Sequence, residues 1–428
     1  MRLGGRLAAA IEVLDDIERR HRPAADALKD WGLSHRFAGA GDRAAIGNIV
    51  YDALRRKRSA GWLLGDDTSR ALGFGALLLE WDQSPQKLNE TLDGDKFAPE
   101  PLSAAELKAI AERKLAEAPD AVRADSPDWC APLLERAFGD EWVAEGAALA
   151  ARPPLDIRVN TLKADRARVI AELEGTQAAP TALAPHGVRI PPIDGSGRHP
   201  NVQAEPAFQK GWFEVQDEGS QLAAELAGAK SGMQVLDYCA GAGGKTLALS
   251  AAMENRGQIF AHDSEKSRLA PMFDRLRRSD NRNVQVVAKQ SELTSLSGHM
   301  DIVLIDAPCT GSGTWRRRPD AKWRLTDRQL DVRKAEQSAI LDTASGYVKP
   351  GGLLVYITCS VFDDENTDQI EAFLGRDKAF SPVDHHALWA GHFPGREDAV
   401  RFGRQGLSLT PARSGTDGFY FAALRRAG

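Results

Sequence analysis

From Gln216 onward the chain alternates. Five short apolar runs, MQVLDYCA, GQIFAHD, NVQVVA, MDIVLIDAP and GGLLVYITCS, are separated by helix-like segments at 245–253, 265–279, 327–348 and 363–374. Strands that alternate with helices predict a parallel sheet covered on both faces, because each crossover must carry the chain back over the sheet. GFYFAALRR, near the end, reads as a last strand that can run antiparallel. An α/β fold is therefore expected for the second half of the chain.

The remainder shows other patterns. At 428 residues the chain is too long for one ordinary core. Residues 1 to about 145 are rich in alanine, leucine and charge. Leu7, Ile11, Leu14 and Ile17 recur at helical spacing, as do Ile46, Ile49, Val50, Ala53 and Leu54, so this part reads as helical. Ser103 is placed to cap a helix before Glu106. After Arg152 the composition changes: LDIRVNTL and GVRI read as strands around a helix at 165–173, within a stretch rich in Pro and Gly. A small α+β module is expected there. The divisions are 1–145, 146–214 and 215–428.

Composition narrows the class. Apolar residues make up 43% and charged residues 27%, the balance of a soluble globular chain. No apolar run approaches the ~18 residues needed to cross a bilayer, and Asp15 and Asp16 interrupt the first apolar stretch, so neither membrane span nor export signal is expected. The four cysteines, Cys130, Cys239, Cys309 and Cys359, lie 109, 70 and 50 residues apart without a CxxC pair. That disfavours a metal site and predicts reduced thiols in a cytoplasm.

The first apolar run ends at Asp237 and enters CAGAGGKT. Gly241, Gly243 and Gly244 permit a tight turn and close approach to a ligand. A P-loop would need Gly where Cys239 stands, and a dinucleotide fingerprint would need Gly where Thr246 stands, so both fail. Asp263 ends the second run, where an acid can accept hydrogen bonds from ribose hydroxyls. Asp237, a glycine turn and then Asp263 outline a site for S-adenosylmethionine. An ordinary βα turn is the competing reading.

Two thiols stand at later strand ends. Cys309 follows IDAP and Cys359 follows YIT. Chemistry in a doubly wound sheet gathers beyond the carboxyl ends of its strands, so the two should converge on one pocket. Beside a methyl donor, thiols suggest pyrimidine chemistry. A thiolate adding at carbon 6 makes carbon 5 nucleophilic enough to take a methyl group. Asp306 is placed to stabilise charge at the ring N3/N4 edge.

LDYCAGAGGKT, IDAPCTGSGTWRRRPDAKWR, YITCS and GTDGFYFAAL resemble the Sun/RsmB/Nop2 family of RNA 5-methylcytosine methyltransferases, as do VNTLK and FEVQDEGSQLAAEL upstream. FAGAGDRAAIGNIVYDALRRK resembles the NusB-type helical RNA-binding domain of the RsmB branch. The resemblance implies a Rossmann-like class I methyltransferase domain, an N-terminal NusB-like domain and an RRM-like linker module. It implies Cys359 as nucleophile, Cys309 in product release, and Asp306 in contact with cofactor and base. Cys239, Ala240, Gly241, Ala242, Gly243, Gly244 and Lys245 would line the methionine end of S-adenosylmethionine, with Asp263 on its ribose. Two departures stand out: Ala242 replaces a usual Pro, and Glu292 replaces a usual Asp at the adenine.

The net charge is −5, yet from Ser264 to Lys334 there are 15 Lys/Arg against 9 Asp/Glu. With the resemblance in hand, Arg316, Arg317, Arg318, Lys322 and Arg324, interleaved with Trp315 and Trp323, read as an edge for single-stranded RNA. Lys163, in VNTLK, is a further candidate for RNA contact. The expected activity is RNA cytosine-C5 methylation by a monomer, on 16S rRNA before tRNA; a non-catalytic ribosome assembly factor is the rival class.

Overall fold

A computed structural model describes residues 1–428. They divide into two units, neither continuous in sequence: Met1–Pro153 with Pro192–His199 and Thr314–Leu325, and Pro154–Pro191 with Pro200–Gly313 and Thr326–Gly428.

The first unit is helical, as its periodicity predicts. Helix Leu3–Arg20 buries Leu7, Leu14 and Ile17, and Ile11 packs on the same core. Helix Ala40–Arg55 adds Ile46, Ile49, Val50, Ala53 and Leu54; helix Ser69–Glu80 adds Leu72, Phe74 and Leu77. Each large apolar side chain so buried contributes about 1.5–3 kcal/mol. Ser103 caps helix Ala104–Glu112: its hydroxyl accepts from Glu106 N at 3.2 Å, and the Glu106 carboxylate accepts from Ser103 N at 2.7 Å.

Two later segments join this unit through polar bonds. Arg152 donates to buried Asp52 at 2.9 Å and to the Gly195 carbonyl at 3.0 Å, and Asn48 donates to the carbonyls of Gly195 and Gly197. In the 314–325 segment, Arg55 donates to the Arg316 carbonyl at 2.8 Å and the Trp323 indole to the Leu54 carbonyl at 2.7 Å.

The second unit contains two sheets. The small one pairs β1 (Leu155–Val159), β2 (Ala179–Pro180), β3 (Gly187–Ile190) and β4 (Phe213–Val215), all antiparallel, in the order β2-β3-β1-β4. Ile157, Val188, Val169 and Phe213 form its core.

The large sheet holds β5 (Gln234–Asp237), β6 (Gln258–His262), β7 (Val284–Val287), β8 (Met300–Asp306), β9 (Val348–Thr358), β10 (Phe380–Pro382), β11 (Arg401–Phe402), β12 (Leu407–Leu409) and β13 (Phe419–Arg426). Its order is β11-β12-β13-β9-β8-β5-β6-β7, with β10 paired to β13. Strands β5 to β9 are parallel, and β13 runs antiparallel to β9. Alternate residues serve opposite faces. Val235, Ile302, Leu304, Val355 and Ile357 pack on one side; Leu236, Val303, Ile305, Leu354 and Tyr356 pack on the other. Both faces are buried, which is why these strands read as continuous apolar runs.

The chain winds from β5 outward to β7, then returns to β8 on the opposite flank of β5. Strand order thus reverses between β5 and β8, and a crevice opens beyond their carboxyl ends. Asp237 and Asp306 terminate those two strands. No helix is long and apolar enough to cross a membrane.

Candidate active site

The glycine turn after β5 is as tight as its sequence implies. Gly241 and Gly243 take φ values of 52° and 85°, in the left-handed region that side chains disfavour. A Cβ on Gly243 would also lie 2.8 Å from Met272 Cγ. Helix Gly244–Ala252 starts directly after, so the unpaired amides of its first turn face the turn. Ala242 is exposed, and its carbonyl accepts from Arg275 at 2.7 Å, which tethers the turn at the position of the missing proline.

Acids surround this turn. Asp237 is buried and accepts from Thr246 Oγ1 at 2.6 Å, while its Oδ1 has no hydrogen-bond partner. Burial pushes its carboxyl up to about 7. Asp263 follows β6; its carboxylate accepts from Gly241 N and Glu265 N, both at 3.0 Å, and pairs with half-exposed Arg268 at 3.2 Å. Lys245 is buried and reaches Asp306 at 2.7 Å, lying 5.3 Å from the Phe419 ring centroid. Left-handed glycines, open amides, an orphaned carboxylate oxygen and an acid at the second strand end suit a nucleoside carrying an amino-acid tail. Cys239 and Ala240 are buried beside them, and burial raises the Cys239 thiol well above its ordinary value.

Sheet register brings the two outer thiols together. Asp306 on β8 lies level with Ile357 on β9, so the chain leaves the sheet side by side at 309 and 359. Cys309 Sγ and Cys359 Sγ are 3.4 Å apart. The Cys309 thiol is pushed well up, first by its hydrogen bond with Cys359 and then by burial. Backbone pairing fixes the loops: Gly313 N donates to the Cys359 carbonyl at 2.9 Å, and Gly418 N donates to the Gly313 carbonyl at 2.8 Å. A Cβ on Gly313 would come within 2.2 Å of the Gly418 carbonyl oxygen, so the TDGF segment and the GSG loop pack backbone to backbone.

The family model described as 16S rRNA methyltransferase RsmB/F matches residues 225–425, and an RsmF/B-like ferredoxin-like domain matches 126–192. Ribosomal RNA small subunit methyltransferase B of Citrobacter koseri is 31% identical over 364 residues, covering 78% of this chain and 82% of that protein. The chain belongs to the RsmB/F methyltransferase family. The same enzyme of an Enterobacter species is 29% identical across 90% of both chains. The solved structure of PH0851 superposes with a TM-score of 0.74 at 26% identity, covering 100% of this chain and 99% of that one.

Not every residue singled out by the RsmB/F resemblance lies in this crevice. Lys163 donates to the Arg278 carbonyl at 3.2 Å, near the carboxyl end of helix Lys266–Ser279, where a cation is favoured. Glu292 is exposed on the turn Gln290–Leu296.

The basic run is the main correction. Residues 314–325 belong to the helical unit, and Lys322 and Arg316 are only 1% and 4% exposed. Lys322 donates to the Asp125 carbonyl and lies 4.8 Å from the Trp323 ring; burial lowers its ammonium to about 8. Trp315 is fully buried, and Trp323 packs against the helical core. Neither Lys322 nor Arg316 is presented to a phosphate, and of the two indoles only that of Trp323 keeps partial exposure. Arg324 pairs with Asp320 at 2.9 Å, Arg317 is half-buried, and Arg318 is exposed.

One residue was missed. Glu365, three residues into the helical run that comes after Cys359, is fully buried at the base of the thiol pair. It stands in the acidic string DDEN, where nothing in the pattern separates it from Asp363 and Asp364.

Proposed function

We propose that this chain methylates carbon 5 of a cytosine in 16S ribosomal RNA, with S-adenosylmethionine as donor. The observation that carries the reading is the pair of sulfurs 3.4 Å apart on adjacent strand ends of a methyltransferase sheet. A methyltransferase acting on a nitrogen or oxygen needs no such pair. The Enterobacter and Citrobacter relatives are ribosomal RNA small subunit methyltransferases B, which supports the same RNA.

The donor, when bound, supplies an electrophilic methyl group on a sulfonium. The residues do the rest. The amides of the Gly241–Gly244 turn and Lys245 would meet the amino-acid end, and Asp263 would take the ribose in place of Arg268. Asp306, held by Lys245, would contact both the donor and the base. Cys359 as thiolate adds to carbon 6, and the ring electrons move to carbon 5, which takes the methyl. The carbon 5 proton then leaves by way of Cys309 to solvent. Its bonding pair restores the ring double bond, and the carbon–sulfur pair returns to Cys359. The cytosine must stand outside any helix to reach these groups.

The test is covalent trapping. Cys309→Ala mixed with unmethylated 16S rRNA and S-adenosylmethionine is expected to form an RNA–protein complex that survives denaturing electrophoresis, and Cys359→Ala to form none. Absence of the complex with Cys309→Ala, beside an active wild type, overturns the two-thiol mechanism. Bisulfite sequencing of rRNA and tRNA from a deletion strain identifies the substrate; an unchanged rRNA with a lost tRNA mark would move the proposal to tRNA.

A further inference from the structure

Beneath the thiol pair lies a carboxylate held without a cation. Glu365 is fully buried, and all four of its donors are neutral. Its Oε1 accepts from Thr310 N at 2.8 Å and from Gln337 Nε2 at 3.0 Å. Its Oε2 accepts from the hydroxyls of Thr310 and Ser360. Thr310 is the residue after Cys309, and Ser360 is the residue after Cys359. One side chain therefore ties the two catalytic loops at matching positions, 50 residues apart in sequence. Gln337, also buried, extends the tie: its amide donates to the Pro308 carbonyl at 2.9 Å, on the other side of Cys309.

Such a carboxylate is costly to fold around. Desolvating it costs several kcal/mol, which neutral donors offset only when all of them are in place. A protein seeking stability alone gains little from it, since an apolar group of similar size serves a core as well. Its geometric effect is different. Two loops leaving parallel strands are free to splay, and a charge-assisted bond to each removes that freedom. The backbone around it is anchored in turn, by the Tyr356 hydroxyl on the Glu365 carbonyl at 2.7 Å and by Asn366 Nδ2 on the Ser360 carbonyl at 3.0 Å.

We infer that Glu365 is a positioning residue for the release step: by holding Thr310 and Ser360 it keeps Cys309 beside Cys359 after the methyl has been transferred. Formation of the methylated adduct needs Cys359, Asp306, the base and the donor, but not Cys309. Release needs both sulfurs in register, because the carbon 5 proton leaves through one while the carbon 6 bond breaks at the other. Loosening the tie therefore slows the second step more than the first. The negative charge also adds to the resistance of the Cys309 thiol to ionisation, behind its bond to Cys359 and its burial.

This inference rests on the two-thiol mechanism, and the experiment separates the two. Glu365→Gln, the double variant Thr310→Val with Ser360→Ala, Cys309→Ala and wild type are compared on unmethylated 16S rRNA with S-adenosylmethionine. Readouts are the denaturation-resistant complex, kcat, KM for RNA, and melting temperature. Expected for both Glu365→Gln and the double variant is a complex at least fivefold more abundant than in wild type. kcat should fall tenfold or more, with KM within threefold. A Cys309→Ala protein that traps nothing defeats the mechanism itself. If Cys309→Ala traps RNA but the folded variants turn over like wild type, or lose activity without accumulating complex, the positioning role is wrong. Should Glu365→Gln not fold, the double variant decides, because it leaves the carboxylate and its bonds to Thr310 N and Gln337 in place.

Discussion

Two segments adjacent in sequence, 306–313 and 314–325, look equally functional and are built for opposite ends. The first carries an acid and a thiol at the mouth of the sheet. The second carries four arginines, a lysine and two tryptophans, yet it belongs to the helical unit, where Lys322, Arg316 and Trp315 are buried. In the first, polar groups converge on one another at the strand ends: Lys245 on Asp306, Cys309 on Cys359. In the second they are spent on internal partners, Lys322 on the Asp125 carbonyl and the Arg316 carbonyl on Arg55. A cation beside an indole is an RNA-binding pattern when exposed and a packing pattern when buried.

The largest effect that sharpens this contrast is at Cys359. Cys359→Ala should lower methyl transfer by about 10³-fold or more, the scale on which an enzyme loses its nucleophile, with melting temperature unchanged. Equal loss of melting temperature and activity would reduce the thiol to a packing group.

The mirror experiment is at Lys322. Lys322→Ala should destabilise the protein by about 2–4 kcal/mol, since it empties a buried site and strips the Asp125 carbonyl of a donor. The salt dependence of RNA binding should not change. Arg318→Ala, at an exposed position, should shift stability by less than about 0.5 kcal/mol. Filter binding across salt concentrations with thermal melts checks both. A salt slope reduced by about one unit in Lys322→Ala, with its melting temperature intact, would restore the run as a phosphate contact.

A smaller effect tests the crevice through pH. The folded-state carboxyl of Asp237 is raised to about 7 from an ordinary 3.8. A raised acid stabilises the fold fully below pH ~4 and loses that contribution as pH rises through about 7. In the cofactor-free protein, Asp237→Asn should therefore flatten the fall in melting temperature between pH 5 and pH 8. Parallel profiles for the two proteins would mean that Asp237 titrates at an ordinary value. The smallest effect belongs to Glu292: Glu292→Ala should alter S-adenosylmethionine affinity by less than threefold in calorimetry, and a larger loss would place it at the adenine after all.

Much of the candidate site was legible before the fold was known, for a local reason. Strand ends are announced by apolar runs, and residues just past a strand end in a doubly wound sheet face the crevice. Asp237, Asp263, Asp306, Cys309 and Cys359 could all be found that way. Glu365 could not, because its role comes from Thr310, Gln337 and Ser360 meeting it from three separate elements. Lys322 misled for the same reason: a run of charges does not tell which unit will enclose it.

Local pattern announced the strand–helix alternation, a tight glycine turn, the helical character of residues 1 to about 145 and two thiols just past later strand ends. These rest on periodicity and on the covalent chemistry of single residues, both of which are local. Packing of the distant segments places the sulfurs 3.4 Å apart, ties their loops through a buried carboxylate, and assigns the basic run to the helical unit with Lys322 and Arg316 buried. Those depend on which surfaces leave water together, and burial is a property of the assembled fold rather than of any stretch of chain.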